Sequence, residues 1–301
     1  MTTTTTRRRV EAPAPEPDRA RSTARGRSAV ARRLRTIVVA LIVIVQVYPL
    51  ASVLISALRP ASDFAAGNAF GLPSRLTLEN FARAWESSDI PRYVGNSLFV
   101  TGVSIAVIII IGMMAAYALQ VLRFRGDRVV LGGFLVGIVV PVQVALVPLF
   151  LDYSRIGLLD SYWSMIIPLA GFALPISIYL FTSFMRYIPE EMYEAASLDG
   201  AGPYRIFLRF VVPLSTNTIV TVVFVNAIFI WNDFIFANTF VLSDGRKTIP
   251  LGLQDYIGAM GATDWTATFA AVCYTVTPLL LGFLVLNKAI IYGIEGGATK
   301  G

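Results

Sequence analysis

Val103-Ser104-Ile105-Ala106-Val107-Ile108-Ile109-Ile110-Ile111 is a run with almost no polar side chain on any face. A membrane strand would alternate apolar and polar residues over about ten positions, one face to lipid and the other to a lumen. Here there is no alternation, so the segment reads as helix, which satisfies its backbone hydrogen bonds internally in hydrocarbon. Outward from this run, five more approach the ~20 helical residues that cross a bilayer. The six lie at residues 36–58, 96–119, 129–149, 162–184, 216–236 and 269–291. Composition agrees, with 55% hydrophobic and only 15% charged residues, far from soluble norms. The expected fold is all-α, a polytopic membrane bundle of six transmembrane helices.

Positive residues flanking a span resist translocation, so Lys and Arg mark the cytoplasmic side. Six spans leave both termini on one side. That side carries ten Arg within residues 1–35, the dense Arg123, Arg125 and Arg128 loop, Arg186, Arg205, Arg209, Lys288 and Lys300. The other side has Arg59, Arg75, Arg83, Arg92, Arg155, Arg246 and Lys247 spread over longer loops. Both termini are therefore expected in the cytoplasm. The net charge of +6 then reflects topology, and the basic tail faces anionic membrane lipids rather than nucleic acid.

Residues 1–35 hold a Thr run, Pro13, Pro15, Pro17 and scattered Arg without apolar periodicity. They read as a disordered basic cytoplasmic tail, leaving residues 36–301 as the membrane domain. A mitochondrial transit peptide is the rival reading of an Arg- and Ser-rich start, against which stand the six spans and the acids of the tail. The first run is long for a signal peptide and lacks a small-residue cleavage site after it, so it is expected to be retained. Cys273 is the one cysteine. It cannot form a disulfide within the chain and reads as a packed thiol.

Between the fourth and fifth runs stands a hydrophilic stretch, Pro189-Glu190-Glu191-Met192-Tyr193-Glu194-Ala195-Ala196-Ser197-Leu198-Asp199-Gly200-Ala201-Gly202-Pro203. Pro189 suits the first helical position, and Glu190, Glu191 and Glu194 set negative charge at the positive end of a helix dipole. Met192, Ala195, Ala196 and Asp199 recur at threes and fours, which places two small residues on one face where another backbone can approach. Gly200 can take the left-handed conformation that ends a helix, and Gly202-Pro203 starts a second. An amphipathic helix packed on its own bundle is the alternative use of the same pattern.

The segment resembles the EAA loop of ABC importer permeases, whose pattern is Glu-Ala-Ala, three residues, Gly, nine residues, then Ile-x-Leu-Pro. Glu194, Ala195, Ala196, Gly200 and Pro213 fall in register, with Phe210 and Val212 in place of the Ile and Leu. Leu78-Glu79-Asn80-Phe81, Asn96-Ser97, Phe124-Arg125-Gly126, Gly157-Leu158-Leu159-Asp160, Trp231-Asn232-Asp233-Phe234, Pro250-Leu251-Gly252-Leu253 and the terminal Gly297-Ala298-Thr299-Lys300-Gly301 are similar to the carbohydrate-importer branch, in particular its smaller six-span permease. The resemblance implies a bacterial inner-membrane subunit with a cytoplasmic coupling helix in a loop at about residues 186–213. Glu194, Ala195, Ala196, Asp199, Gly200 and Pro213 would couple it to a dimer of ATP-binding subunits. It further implies a second permease subunit in a heterodimer, an extracytoplasmic solute-binding protein and a sugar as cargo. This chain has no Gly-x-x-x-x-Gly-Lys-Ser/Thr phosphate cradle, so ATP and Mg would be used by the partner ATPase and no cofactor is expected here.

Polar residues within spans usually face a bundle interior or a cavity. The fifth run has the densest set, with Asn226, Trp231, Asn232 and Asp233. On a continuous helix Asn226, Phe229 or Ile230, and Asp233 share a face that could offer amides, a carboxylate and an aromatic surface to a sugar. The competing reading is interhelical hydrogen bonding, which also covers Gln46, Gln143, Asn217 and Asn287. Pro141, Pro148, Pro168, Pro175 and Pro278 lie in or near spans, as static kinks or as hinges. Residues 59–95 and 237–268 are the external segments large enough for a binding protein to land on, although Trp85, Tyr93, Tyr256 and Trp265 also suit interfacial anchoring.

Other classes fit less well. With no His, a membrane-embedded enzyme would lack a histidine base or metal ligand, and Asp233 is the one acid well inside a run. A secondary transporter would bring inverted repeats and more intramembrane charge. Among importer permeases, one for amino acids or peptides remains the alternative, because the EAA pattern does not name the cargo.

Overall fold

The computed structural model describes the backbone of residues 19–65, 71–87, 89–256 and 264–298, and the side chains of 32–64, 71–86, 89–256 and 264–285. Residues 1–18 of the basic tail, the tip 257–263 of the last external segment, residues 299–301 and the side chains of Asn287 and Lys288 lie outside that description. The described chain is all-α: α1 (Arg19–Ala57), α2 (Ala61–Ala65), α3 (Glu79–Ser87), α4 (Ile90–Tyr117), α5 (Asp127–Gly137), α6 (Val142–Arg155), α7 (Tyr162–Met185), α8 (Glu190–Leu198), α9 (Pro203–Ile206), α10 (Val212–Leu214), α11 (Thr216–Trp231), α12 (Ile235–Phe240), α13 (Ile249–Gly252) and α14 (Trp265–Ala298). Single π-helical turns extend α4 at Ala118–Leu122 and join α9 to α10 at Phe207–Val211.

α1 begins upstream of the run it was expected to occupy, so residues 19–35 are helical where the sequence reads as irregular. Ala and Arg are good helix formers, and Ala20, Arg21, Ala24 and Arg25 continue the helix beyond its apolar part. The chain divides at Ser52, and the second unit, Val53–Gly301, carries everything that follows.

Among the described residues, four helices are long and apolar enough by themselves to cross a membrane, at Arg32–Ala57, Ile90–Leu122, Tyr162–Met185 and Trp265–Val285. The other two expected spans are broken rather than straight. α5 and α6 meet at 93°, and the α9–α10 segment meets α11 at 71°, so the total reaches six if each bent pair is one span. The first break follows from Pro141, extended at φ −66°, ψ 130°, because a proline disfavours helix in the residue before it. Pro168 and Pro175, by contrast, lie inside an unbroken α7.

Two interiors hold the second unit together. The larger packs α4 against α7 and α11 through Ile108, Met113, Met165, Phe181, Val222 and Ile230. The smaller gathers Ala84 of α3, Tyr93 of α4, Trp231 and the start of α14 around Ala267, Ala270 and Ala271. α7 starts cleanly because the Ser161 side chain accepts a hydrogen bond from the Ser164 N–H at 3.2 Å, satisfying one orphan donor of the first turn.

Candidate functional site

The hydrophilic stretch between α7 and α11 folds into a helix, a turn and a second helix at the end of the bundle where α4 and α7 both finish. α8 starts at Glu190, and Pro189 stands just before it, at φ −56°, ψ 135°, rather than in its first turn. Its other end closes as a Schellman turn. Gly200 sits at φ +79°, its N–H donates to the Ser197 carbonyl at 3.0 Å, and the Ala201 N–H donates to the Ala196 carbonyl at 3.0 Å. That pairing needs a left-handed residue after the helix, which glycine adopts without a Cβ penalty. Gly202 then caps α9, whose first residue is Pro203.

α8 has two faces, and they divide the expected coupling residues that it carries. Tyr193 and Ala196 turn inward, Ala196 being only 6% exposed. Ala195, Glu191, Met192, Glu194, Leu198 and Asp199 are exposed, Leu198 to 89%. The two alanines therefore do not share a docking face. Neighbours in a helix are about 100° apart, and the buried stripe takes Ala196. Leu198, which the pattern did not single out, is the most exposed apolar side chain of the helix, and its signal was an apolar residue one turn after Glu194 on the outward side. Tyr187 and Tyr204 extend the exposed apolar area on either side of α8.

This elbow is braced on α4. The Tyr117 hydroxyl donates to the Pro203 carbonyl at 3.1 Å, and the Tyr117 and Phe207 rings lie 5.3 Å apart. Burial, with the Tyr117 phenol beside it, pushes the Tyr193 hydroxyl up to about 12, so it is a neutral donor at any physiological pH. Arg123, itself at φ +43°, reaches Glu190 at 3.6 Å; both side chains are exposed and such a pair contributes little. Pro213 is exposed in α10, directly before the 71° bend at Ser215. The π turn of Phe207–Val211 precedes it, the local widening that helices use to absorb an irregular residue.

The four residues expected along a substrate path are not brought together. Asn226 is 2% exposed and donates to Ser177 Oγ at 3.1 Å and to the Val222 carbonyl at 2.8 Å, so it ties α11 to α7. Trp231 is buried, and its Nε1 donates to the Thr275 carbonyl of α14 at 2.9 Å. α11 ends at Trp231, so Asp233 leaves the helical register that would have set it beside Asn226. Its carboxylate instead accepts from the Phe236 and Ala237 N–H groups at 3.4 and 3.2 Å, capping α12. Asn232, just past α11, is exposed and bonds back to the Ile228 carbonyl at 2.8 Å, and Phe229 of α11 is 73% exposed.

At the opposite end a polar clasp holds the segment after α12. Asn96 Nδ2 donates to the Gly245 and Lys247 carbonyls at 3.0 and 2.8 Å, and its Oδ1 accepts from the Tyr162 hydroxyl at 2.8 Å. Asp160, at φ +54°, accepts from the Leu242 and Ser243 N–H groups and the Ser243 hydroxyl at 3.1, 3.0 and 2.9 Å, and pairs with Arg246 at 2.9 Å. Burial pushes the Asp160 carboxyl up, but those N–H groups, the hydroxyl and Arg246 outweigh it and hold the carboxyl below its usual range. Burial likewise pulls Lys247 down, and Asp244 and Asp255, at 2.8 and 2.6 Å, outweigh it and hold the ammonium above its usual value. No group of three or more metal-ligating side chains occurs among the described residues.

Residues 108–290 match the family described as binding-protein-dependent transport system inner membrane component. The chain is 31% identical over 245 residues to the trehalose transport system permease protein of Mycobacterium tuberculosis, covering 81% of this chain and 89% of that one. It is 30% identical over 258 residues to the diacetylchitobiose uptake system permease protein of Streptomyces coelicolor, covering 85% of each. In fold it is similar to a chain of a bacterial ABC transporter involved in the import of the acidic polysaccharide alginate, with a TM-score of 0.74, 19% identity and coverage of 91% of this chain and 99% of that one.

Proposed function

Because the chain belongs to the family of binding-protein-dependent transport system inner membrane components, a multi-pass and non-catalytic kind of subunit, we propose that it is the permease of an ATP-driven importer for a sugar or oligosaccharide. It forms half of a translocation path of six spans in a bacterial inner membrane, with both termini in the cytoplasm. The other half is a second permease in a heterodimer, an extracytoplasmic solute-binding protein delivers the cargo, and a dimer of ATP-binding subunits consumes ATP and Mg.

The observation that carries this reading is the outward face of α8. Glu191, Met192, Ala195, Leu198 and Asp199 present a small, apolar and acidic surface at one end of an otherwise apolar bundle, a surface suited to a cleft in a separate protein. The turn at Gly200 fixes that helix to α9, and α9 is fixed to α4 through Tyr117, so a displacement of α8 is passed to the spans as a rigid movement. The names of the relatives, trehalose and diacetylchitobiose among them, support a sugar as cargo.

The test is uptake by proteoliposomes containing this chain, its second permease and its ATPase, with ATP inside and the binding protein outside. Labelled disaccharides are expected to accumulate only with all components present. Accumulation of amino acids or peptides and of no sugar would transfer the subunit to the other importer class; accumulation without the ATPase would remove it from importers of this kind.

A further inference from the structure

The end of α1 is closed by a segment that lies between α2 and α3. Carbonyls at and just past a helix C-terminus lack intrahelical donors, and this segment supplies them. Asn80 Nδ2 donates to the Ala57 and Arg59 carbonyls at 2.8 and 2.7 Å, and the Thr77 N–H donates to the Leu58 carbonyl at 2.9 Å. The segment is also held from behind. Asp63, buried, accepts from the Ser74 N–H and hydroxyl at 2.8 and 2.7 Å, and the buried Arg59 guanidinium donates to the Gly71 carbonyl and lies over the Phe64 ring at 5.4 Å.

Its inward side is therefore polar and satisfied, and its outward side is apolar. Leu72, Leu76 and Leu78 are 84%, 70% and 71% exposed, the reverse of the order that water favours. Two apolar helices fix the depth of these leucines. Thr77, between Leu76 and Leu78, is one hydrogen bond past the helix that ends at Ala57, where Leu54 and Ile55 are exposed as well. α3, which the segment enters, sets Phe81 and Trp85 at 5.7 and 5.3 Å from the Tyr274 ring, and Tyr274 stands about 13 Å along the apolar helix that begins at Trp265. The leucines thus continue the apolar surface of α1 at the level where the spans begin and end.

We infer that residues 72–78, with Trp85, form a foot embedded in the membrane interface at this end of α1. The three leucines lie among acyl chains, and Arg75 and Glu79, paired at 3.8 Å, lie among headgroups. The charges between the leucines identify the occupant. The centre of a protein interface is depleted of charge, whereas Arg beside apolar side chains suits a segment lying on lipid, where the guanidinium snorkels to the headgroups. A soluble partner that comes and goes would leave three leucines in water between encounters, at a cost that lipid removes permanently. The foot sets the level of α1 in the bilayer, and it requires only that α1 crosses a membrane, whatever the cargo.

The test reads depth directly. Leu72→Cys, Leu76→Cys, Leu78→Cys, Arg75→Cys and, as the aqueous reference, Asp244→Cys each carry a nitroxide in the complete transporter in proteoliposomes, in a Cys273→Ala background with cysteine-free partner subunits. Collision with oxygen, which concentrates in acyl chains, is compared with collision with a nickel chelate, which stays in water. At the three leucines the ratio of oxygen to nickel collisions is expected to exceed that at Asp244 several-fold, corresponding to a depth of about 5–10 Å, with Arg75 between them. Each leucine is exposed, so if one variant fails to assemble the others still carry the measurement. Ratios at all three equal to that at Asp244 would place the segment in water and overturn the inference. Labels immobile and beyond reach of both agents would assign the leucines to the second permease, and loss of both collisions only when the binding protein is added would make them that protein's landing surface; either overturns lipid as the occupant.

Discussion

Gly200 tests the proposed coupling role of the elbow more cleanly than any other position, because its backbone and its surroundings make separable demands. Its φ of +79° is a conformation that L side chains rarely adopt, yet a Cβ built there would meet nothing within 4 Å. Substitution therefore costs backbone energy and no collision. For a β-branched residue that cost is about 1–3 kcal/mol, which lowers the population of the native turn roughly 5- to 150-fold. Asn tolerates the left-handed region far better. Gly200→Val is expected to reduce ATP-driven uptake at least several-fold at normal membrane abundance, and Gly200→Asn to keep most of it, with Gly200→Ala between them. ATP hydrolysis measured on the same vesicles separates a broken linkage, in which hydrolysis persists, from a failure to assemble. Uptake by Gly200→Val indistinguishable from the parent protein would refute the mechanical role of the turn.

The two alanines of α8 should respond differently to Leu. Ala196→Leu overpacks the buried face and is expected to cost about 1–3 kcal/mol, read as a lower melting temperature of the purified chain, whereas Ala195→Leu should leave melting unchanged and weaken association with the ATPase in a pull-down. Asn226→Ala should lower stability by about 0.5–1 kcal/mol, and, if its amide serves only to hold α7, leave the preference among sugars in uptake competition unaltered. Asp160→Asn should destabilise the chain by about 1–2 kcal/mol at neutral pH, mostly through weaker hydrogen bonds from Ser243 and Leu242, since Arg246 is half-exposed. The Asp160 carboxyl lies below its usual range, so its contribution is complete above about pH 4 and is lost as pH falls through the depressed value. Lys247, held above its usual value, contributes fully below about pH 10.4 and loses that contribution as pH rises through the elevated one. Thermal melts of parent and Asp160→Asn across pH should therefore converge only on the acid side.

The apolar runs were legible because burial in hydrocarbon demands them residue by residue, and α4, α7 and α14 appear where the runs lie. The broken pairs were not. A window of hydropathy does not distinguish one straight helix from two that meet at 93°, and among several intramembrane prolines only Pro141 coincides with that break, while Pro168 and Pro175 are absorbed within α7. The Gly200 turn was readable because one residue type serves one backbone conformation. The assignment of Ala195 and Ala196 to one face failed for the opposite reason: a pattern at threes and fours leaves the rotation of a short helix undetermined until something packs on it, and here Tyr193 sets that rotation. For the polar set around Asn226 the sequence offered interhelical bonding beside a substrate path, without deciding between them. Burial in a span asks only that an amide be satisfied, and Ser177, 49 residues away in sequence, satisfies it as well as a sugar would.

What the elbow can transmit depends on where it is stiff. From α8 to α9 the link is a hydrogen-bonded turn, and from α9 to α4 it is the Tyr117 hydroxyl and ring, so these three elements move together. Beyond Phe207 the chain loosens into a π turn, passes Pro213, which donates no backbone hydrogen bond, and bends by 71° at Ser215 before α11 begins. A push on α8 therefore reaches α4 directly and α11 only through a joint. Because α4 also carries Asn96 at its far end, clasped to Lys247 and Tyr162, the rigid connection runs the length of one helix from the elbow to the opposite face. Such a rod would serve a permease that answers a protein on each side of the membrane, while α11, held to α7 by Asn226 and to α14 by Trp231, follows the helices it packs on rather than the elbow itself.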